Sequence, residues 1–400
     1  MILNQPKSFI ASACIAGLTL AGNQAIADDQ ARVDNLEQQI KALQQQVNKP
    51  TQERLRFNGF FSVAYGIADN DSGYAGYTED GTFTNESLFG LQGTFAISDK
   101  TDVTMQLVGR SRDNWEPNFE WAYISHQVSS NLKARAGKMR LPFFMYSDSL
   151  EVGYAQPWAR PPIDVYGGIP ITSYTGVDAI YDVNYDLSTL SLQAFSGETS
   201  DTVDIVGTNT DINVDNLFGG VINWTDFIWT LRANYAVADL SIVGDNTSYD
   251  TSFSGVGLSY NDGTWQVISE LTRFETDGPT VDTDSAYLTV VRTFGSLSPY
   301  TTVSRTESTD DSERPLTRAQ VTNPSSPYYG YYLGSDISNV ERTSYSVGVR
   351  WDAMSNMAVK FDLSHVTDFG DTGGDLSGNN GASVKYDDAN IFSVKLDAAF

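Results

Sequence analysis

From Arg54 to Phe400 the chain repeats one pattern: segments of roughly ten residues in which apolar and polar side chains alternate, separated by connectors rich in Gly, Asp, Asn and Ser. Successive side chains on a strand point to opposite faces, so each segment carries one apolar face. In the first segment Leu55, Phe57, Gly59, Phe61, Val63, Tyr65 and Ile67 oppose Arg56, Asn58, Phe60, Ser62, Ala64 and Gly66. In the last, Phe392, Val394, Leu396, Ala398 and Phe400 oppose Ser393, Lys395, Asp397 and Ala399. No soluble core is large enough to receive so many apolar faces, which makes lipid their natural partner.

The connectors add a second constraint. Short links such as Asp99-Lys100, Ser129-Ser130, Thr225-Asp226 and Gly295-Ser296 interleave with long ones around 68–84, 141–173, 198–214, 239–250, 276–283, 307–341 and 367–387. Short turns at one end and long loops at the other are the rhythm of a transmembrane antiparallel β-barrel, and the segments number about sixteen. A barrel of that size encloses an aqueous lumen. Aromatic residues near strand ends, among them Trp121, Tyr123, Tyr185, Trp229, Tyr235, Trp265, Tyr287, Tyr300, Tyr345 and Trp351, suit the girdles at the two membrane interfaces. No apolar run of about 20 residues follows Ala27, so a helical span is excluded.

The termini differ from this body. Lys7, the apolar stretch from Phe9 to Ala21 and Ala25-Ile26-Ala27 read as an export signal over 1–27. Cys14, the one cysteine, lies inside it, so disulfide and thiol chemistry are not expected. Residues 28–50 place Val33, Leu36, Ile40, Leu43 and Val47 at alternating spacings of 3 and 4, the seam of a short α-helical coiled coil, ended by Pro50. The barrel then occupies 51–400.

A formal net charge of −25 argues against a nucleic-acid partner. The two histidines, His126 expected on the lumen side and His365 on the lipid side, have no Asp and Ser arranged as a triad, so no enzymatic role is expected. No metal or cofactor is expected either, since the acid-rich loops lack EF-hand spacing.

One stretch breaks the alternation. Residues 141–173 hold five of the thirteen prolines, and proline withholds the donor a paired strand needs. Strand parity meanwhile directs Arg56, Arg110, Arg112, Lys133, Arg135, Arg232, Arg350, Lys360 and Lys395 inward, and closure makes most of them one basic wall. Inward acids are fewer: Glu120, Asp178, Asp182, Glu270, Asp362 and Asp397.

With a signal peptide, alternating strands, a long third external loop and a terminal Phe400, the chain resembles the trimeric porins of the Gram-negative outer membrane. The heptad segment resembles the subgroup with a periplasmic coiled coil. The resemblance implies a homotrimer, although β-branched residues at a and Leu at d favour two strands in parallel coiled coils. It also implies that the last strand, NIFSVKLDAAF with Phe392, Val394, Leu396 and Phe400, is the signal read by the barrel-assembly machinery. By the same resemblance, 141–173 folds into the lumen as a constriction, with Asp148, Glu151 and Asp164 facing Arg110, Arg112, Lys133 and Arg135. The expected function is passive diffusion of small hydrophilic solutes and ions, with a weak preference for anions. A porin selective for phosphate or carboxylates, and a non-conducting receptor or adhesin barrel, are the alternatives.

Overall fold

The computed structural model describes residues 54–400 apart from 170, 206–207, 245–246, 279, 311–318, 321, 326–331, 334–338, 371, 377, 379–382 and 385. The export signal and the heptad segment lie outside the described residues. The barrel strands are β1 (Leu55–Ala68), β2 (Leu88–Ser98), β3 (Thr101–Arg110), β4 (Pro117–Gln127), β5 (Leu132–Arg140), β6 (Ser173–Tyr185), β7 (Ser188–Ile205) and β8 (Thr208–Thr225). They continue as β9 (Trp229–Ile242), β10 (Ser248–Asn261), β11 (Trp265–Thr276), β12 (Thr283–Arg292), β13 (Leu297–Ser308), β14 (Glu341–Met354), β15 (Met357–Thr367) and β16 (Ala389–Ala399). Each pairs antiparallel with its neighbours in sequence, and β16 closes on β1 from Phe60 opposite Ala399 to Ala68 opposite Ile391. Closure leaves no unpaired sheet edge, the condition for strands in hydrocarbon.

Alternation becomes inside and outside. Phe57, Leu91, Phe95, Leu231, Tyr235, Trp265 and Trp351 are exposed on the outer surface, whereas Ser62, Glu270, Lys360, Lys395 and Asp397 are buried on the inner one. Short turns are shaped by local capping: the Asp262 carboxylate accepts the amides of Thr264 (2.8 Å) and Trp265 (2.7 Å), with Gly263 at a φ of 83°. These backbone bonds, that of Trp265 foremost, hold the Asp262 carboxyl below its ordinary range.

The structure departs from the sequence-based expectation in four places. The connector expected at 198–214 is mostly strand, because β7 and β8 pair up to Ile205 opposite Thr208. Thr, Val and Ile there outweigh the Asp and Asn that suggest a loop. Parts of the connectors 307–341 and 367–387 form a small three-stranded sheet from Ala319–Gln320, Tyr332–Leu333 and Ser383–Val384. A bulge on β4, where Gln106 faces Trp121 and Leu107 faces Phe119, leaves Glu120 as an extra residue. That residue reverses parity beyond it, so His126 sits on the outer face opposite Thr101 and not in the lumen. Finally, Tyr123, Tyr287 and Tyr300 face inward and pack in the interior cluster, whereas Tyr185, Tyr235 and Trp229 face outward.

That interior cluster exists because the connector between β5 and β6 enters the barrel. Its neck is closed by the Leu141 amide on the Thr172 carbonyl (2.9 Å). Within it are one-turn 3₁₀ segments at Ser147–Ser149 and Gly153–Ala155 and a short helix at Ile163–Tyr166. Phe143 stacks on Phe253 of β10 (ring centroids 4.4 Å), and Trp158 meets Tyr287 of β12 edge-on (5.8 Å).

Candidate functional site

The loop is fixed by its backbone as much as by its side chains, since a proline-rich segment leaves carbonyls without strand partners. Arg232 on β9 donates to the Pro142 carbonyl (2.6 Å) and Asn234 to that of Phe143 (2.7 Å). Arg350 on β14 donates to the carbonyls of Tyr154 (2.6 Å) and Gln156 (2.8 Å), and Lys360 on β15 to that of Gly153 (2.7 Å). Side chains add to this. Trp158 donates to the Thr289 hydroxyl (2.8 Å), Arg160 bonds Glu86 and the Ser393 hydroxyl (3.0 Å), and Asp164 pairs with Arg342 while accepting from Ser304 (2.6 Å). Tyr166 bonds Glu270, whose other oxygen accepts the Met145 amide (2.8 Å). The Tyr154 hydroxyl reaches the Ser355 carbonyl in a short turn (2.7 Å), so the loop extends from one end of the barrel to the other.

At the loop's near side two acids share two arginines. Arg110 meets Glu120 at 2.6 Å and Glu151 at 2.7 Å; Arg140 meets the same two at 2.8 Å and 3.3 Å. Burial by itself pushes the Glu151 carboxyl upward, but Arg110 and Arg140 outweigh it and hold the group down at about 2. The β4 bulge is what brings Glu120 to this corner.

The expected wall residues fall into three groups. Arg110, Arg232, Arg350 and Lys360 bond the loop directly. Arg135 is taken by Asp178 on β6, and Lys395 lies 4.0 Å from Asp397, which Lys360 holds at 2.8 Å. The third group is uncovered: Lys133 is exposed, Arg56 is exposed at the end of β1, and Arg112 lies past the end of β3 in an exposed turn beside Asp113 (3.9 Å). Among the loop acids, Glu151 meets Arg110, lies within electrostatic range of Arg112 and has no ion pair with Lys133 among the described residues, and Asp164 meets Arg342, which the expected wall did not include. Asp148 alone is exposed, within electrostatic range of Arg135 and Arg232. Phe392 and Phe400 lie on the outer face of the closing seam, where Phe400 exchanges backbone bonds of 2.7 and 2.8 Å with Gly59.

A closed sixteen-strand barrel with a connector after its fifth strand folded against a charged inner wall can be compared with known structures. No protein-family model matches the sequence, and a search of curated proteins finds no match. Solved structures do match. The anion-selective porin from Comamonas acidovorans is 15% identical, covering 86% of this chain and 99% of that one, with a TM-score of 0.54. The outer membrane channel DcaP of Acinetobacter baumannii is 12% identical over 86% of this chain and 97% of its own, with a TM-score of 0.54. OmpT of Vibrio cholerae, an outer membrane protein in its trimer form, is 12% identical over 86% and 99%, with a TM-score of 0.52. The fold is that of Gram-negative outer-membrane porins. At these identities the likeness is one of fold.

Within this porin fold the loop leaves the two halves of the lumen different. Most of its bonds reach inner side chains from β9 round to β16, where Glu270, Thr289, Ser304, Lys360 and Ser393 are buried; on the other side it is held through Glu151 on Arg110 and Arg140 and through Arg160 on Glu86. On the side of β2 to β6 Lys133 stays exposed and Gln92, Thr94, Arg135 and Asp182 half-buried. Three tethering arginines escaped the sequence reading. Arg342 has the parity of Arg350 on the same strand, and that signal was available; Arg140 and Arg160 flank or lie within the loop, where parity gives no guide.

Proposed function

We propose that the chain is an outer-membrane porin through which small hydrophilic solutes and ions diffuse passively, without cofactor or covalent step. The observation that carries this reading is the asymmetry of the lumen: a loop whose bonds fall mostly on the wall from β9 round to β16 and, past its corner at Arg110 and Arg140, a charged surface of β5 on which Lys133 stays exposed. Asp148 on the loop and Lys133 with Arg135 on β5 border that passage, giving it a field that favours polar solutes over apolar ones. Most basic groups of the wall are already matched by acids, so the remaining preference is a weak one for anions, set by Lys133 and Arg232, which have no carboxylate in ion-pair contact among the described residues.

The reading extends to a homotrimer in the outer membrane of a Gram-negative bacterium, with residues 28–50 as a periplasmic coiled coil and the β16 face bearing Phe392, Val394, Leu396 and Phe400 as the signal for assembly. The trimer form of the similar Vibrio cholerae OmpT supports the first point. The test is a planar-bilayer recording of the purified protein in KCl. Discrete ohmic conductance steps are expected; a folded protein that opens no channel would place the barrel among receptor or adhesin scaffolds.

A further inference from the structure

A porin lumen is polar by construction, yet one inner surface of this barrel is not. The inward face of β9 changes character along its length, from Thr230, Arg232 and Asn234 near the short turns to Ala238, Leu240 and Ile242 near the long loops. Above the inserted loop this apolar stretch combines with Ile212, Phe253 and Phe274 on neighbouring strands and Ile171 on the loop to form the apolar side of a cavity of about 380 Å³, which Asp164, Arg342 and Asp375 also line. The volume falls within the range of roughly 300–1,000 Å³ typical of small-molecule sites. Lipid is not its partner, because these side chains point away from the outer surface. Water against that apolar side finds few hydrogen-bond partners and is displaced with gain by an apolar guest. The lining also includes Thr280, whose hydroxyl is buried without a hydrogen-bond partner among the described residues.

We propose that this chamber is a binding subsite for small uncharged amphipathic molecules, an aromatic-sized apolar body carrying a hydroxyl or similar polar end, which it captures at the external mouth before they pass the loop. The inference rests on the channel reading and narrows its solute class. The apolar body lies against Leu240, Ile242 and Phe274, and the polar end meets the Thr280 hydroxyl. Hydrophilic molecules of similar size have nothing to displace there and pass without pausing.

The probe is 4-nitrobenzyl alcohol, with glycerol as the control, added on the external side during single-channel recording in KCl; binding is measured in parallel by saturation-transfer NMR on the protein in nanodiscs. Resolved, saturable block by the probe and none by glycerol is expected. Leu240→Asn should weaken both block and NMR binding about tenfold, whereas Leu240→Met should retain them. Should Leu240→Asn fail to insert, Phe274→Ser on a separate strand makes the same comparison. An open channel without probe block or NMR binding, as when the chain's own loops fill the chamber, overturns the inference and leaves the porin reading intact. Equal block in wild type and Leu240→Asn places the site elsewhere and also overturns it. A protein that conducts nothing refutes the channel reading, and the nanodisc measurement then decides the chamber by itself.

Discussion

Replacing Glu151 by Gln removes one negative charge from the corner where Arg110 and Arg140 each touch two carboxylates. Its effect can be estimated from the carboxyl itself. A fall from the ordinary 4.5 to about 2 corresponds to about 3 kcal/mol in favour of the charged, paired state. All three side chains are largely buried, so solvent screening takes little from this figure. Because the folded group is the stronger acid, that stabilisation is fully present above about pH 4.5 and fades as the pH falls towards 2. Glu120 keeps both arginines partnered in the variant, so neither becomes an orphaned buried charge, the costlier outcome. The loss therefore falls on the tether between the loop and β3. Losing about 3 kcal/mol raises the population of a locally detached loop roughly 100-fold. In single-channel records this appears as frequent excursions to a larger-conductance substate, together with a reversal potential shifted towards anions by the added net positive charge. The wild-type protein should show no such excursions between pH 7 and pH 5. A variant with wild-type noise, substates and reversal potential would refute the assignment of Glu151 as a tether.

Two further outcomes follow from the same geometry. Deleting residues 148–164 removes the tethers to Arg350, Lys360 and Arg342 and should raise unitary conductance and loosen size exclusion while circular dichroism still reports a folded barrel; unchanged conductance would mean that the loop does not narrow the passage. Lys133→Glu replaces an exposed inner cation that has no carboxylate partner among the described residues, and the reversal potential in a KCl gradient should move towards cations, whereas no shift would put the ion path away from β5.

The barrel was legible because its cause is repeated in every strand. Lipid on one side and polar groups on the other impose a period of two that Leu55 to Ile67 and Phe392 to Phe400 state plainly. Parity failed where one residue was added: Glu120 bulges out of register, and with it His126 changes face. It also misled where inward aromatics serve as seats for the loop, since Tyr287 and Tyr300 look like girdle residues until something packs on them. The loop's own contacts were out of reach for another reason. Asp164 pairs with Arg342, 178 positions away, and no local pattern encodes that choice.

The closing seam has a consequence for how such a molecule is made. Ser62 donates to Asp397 at 2.6 Å across 335 positions, and Gly153 is held by Lys360 across 207. The loop's seats on β14, β15 and β16 do not exist until the C-terminal residues have been synthesised and docked beside β1. Contacts this distant in sequence make for slow folding, with a long interval of exposed strand edges. The inserted loop is thus seated late in folding: the strand that closes the barrel on β1 completes both the wall and the last of the loop's seats in one event.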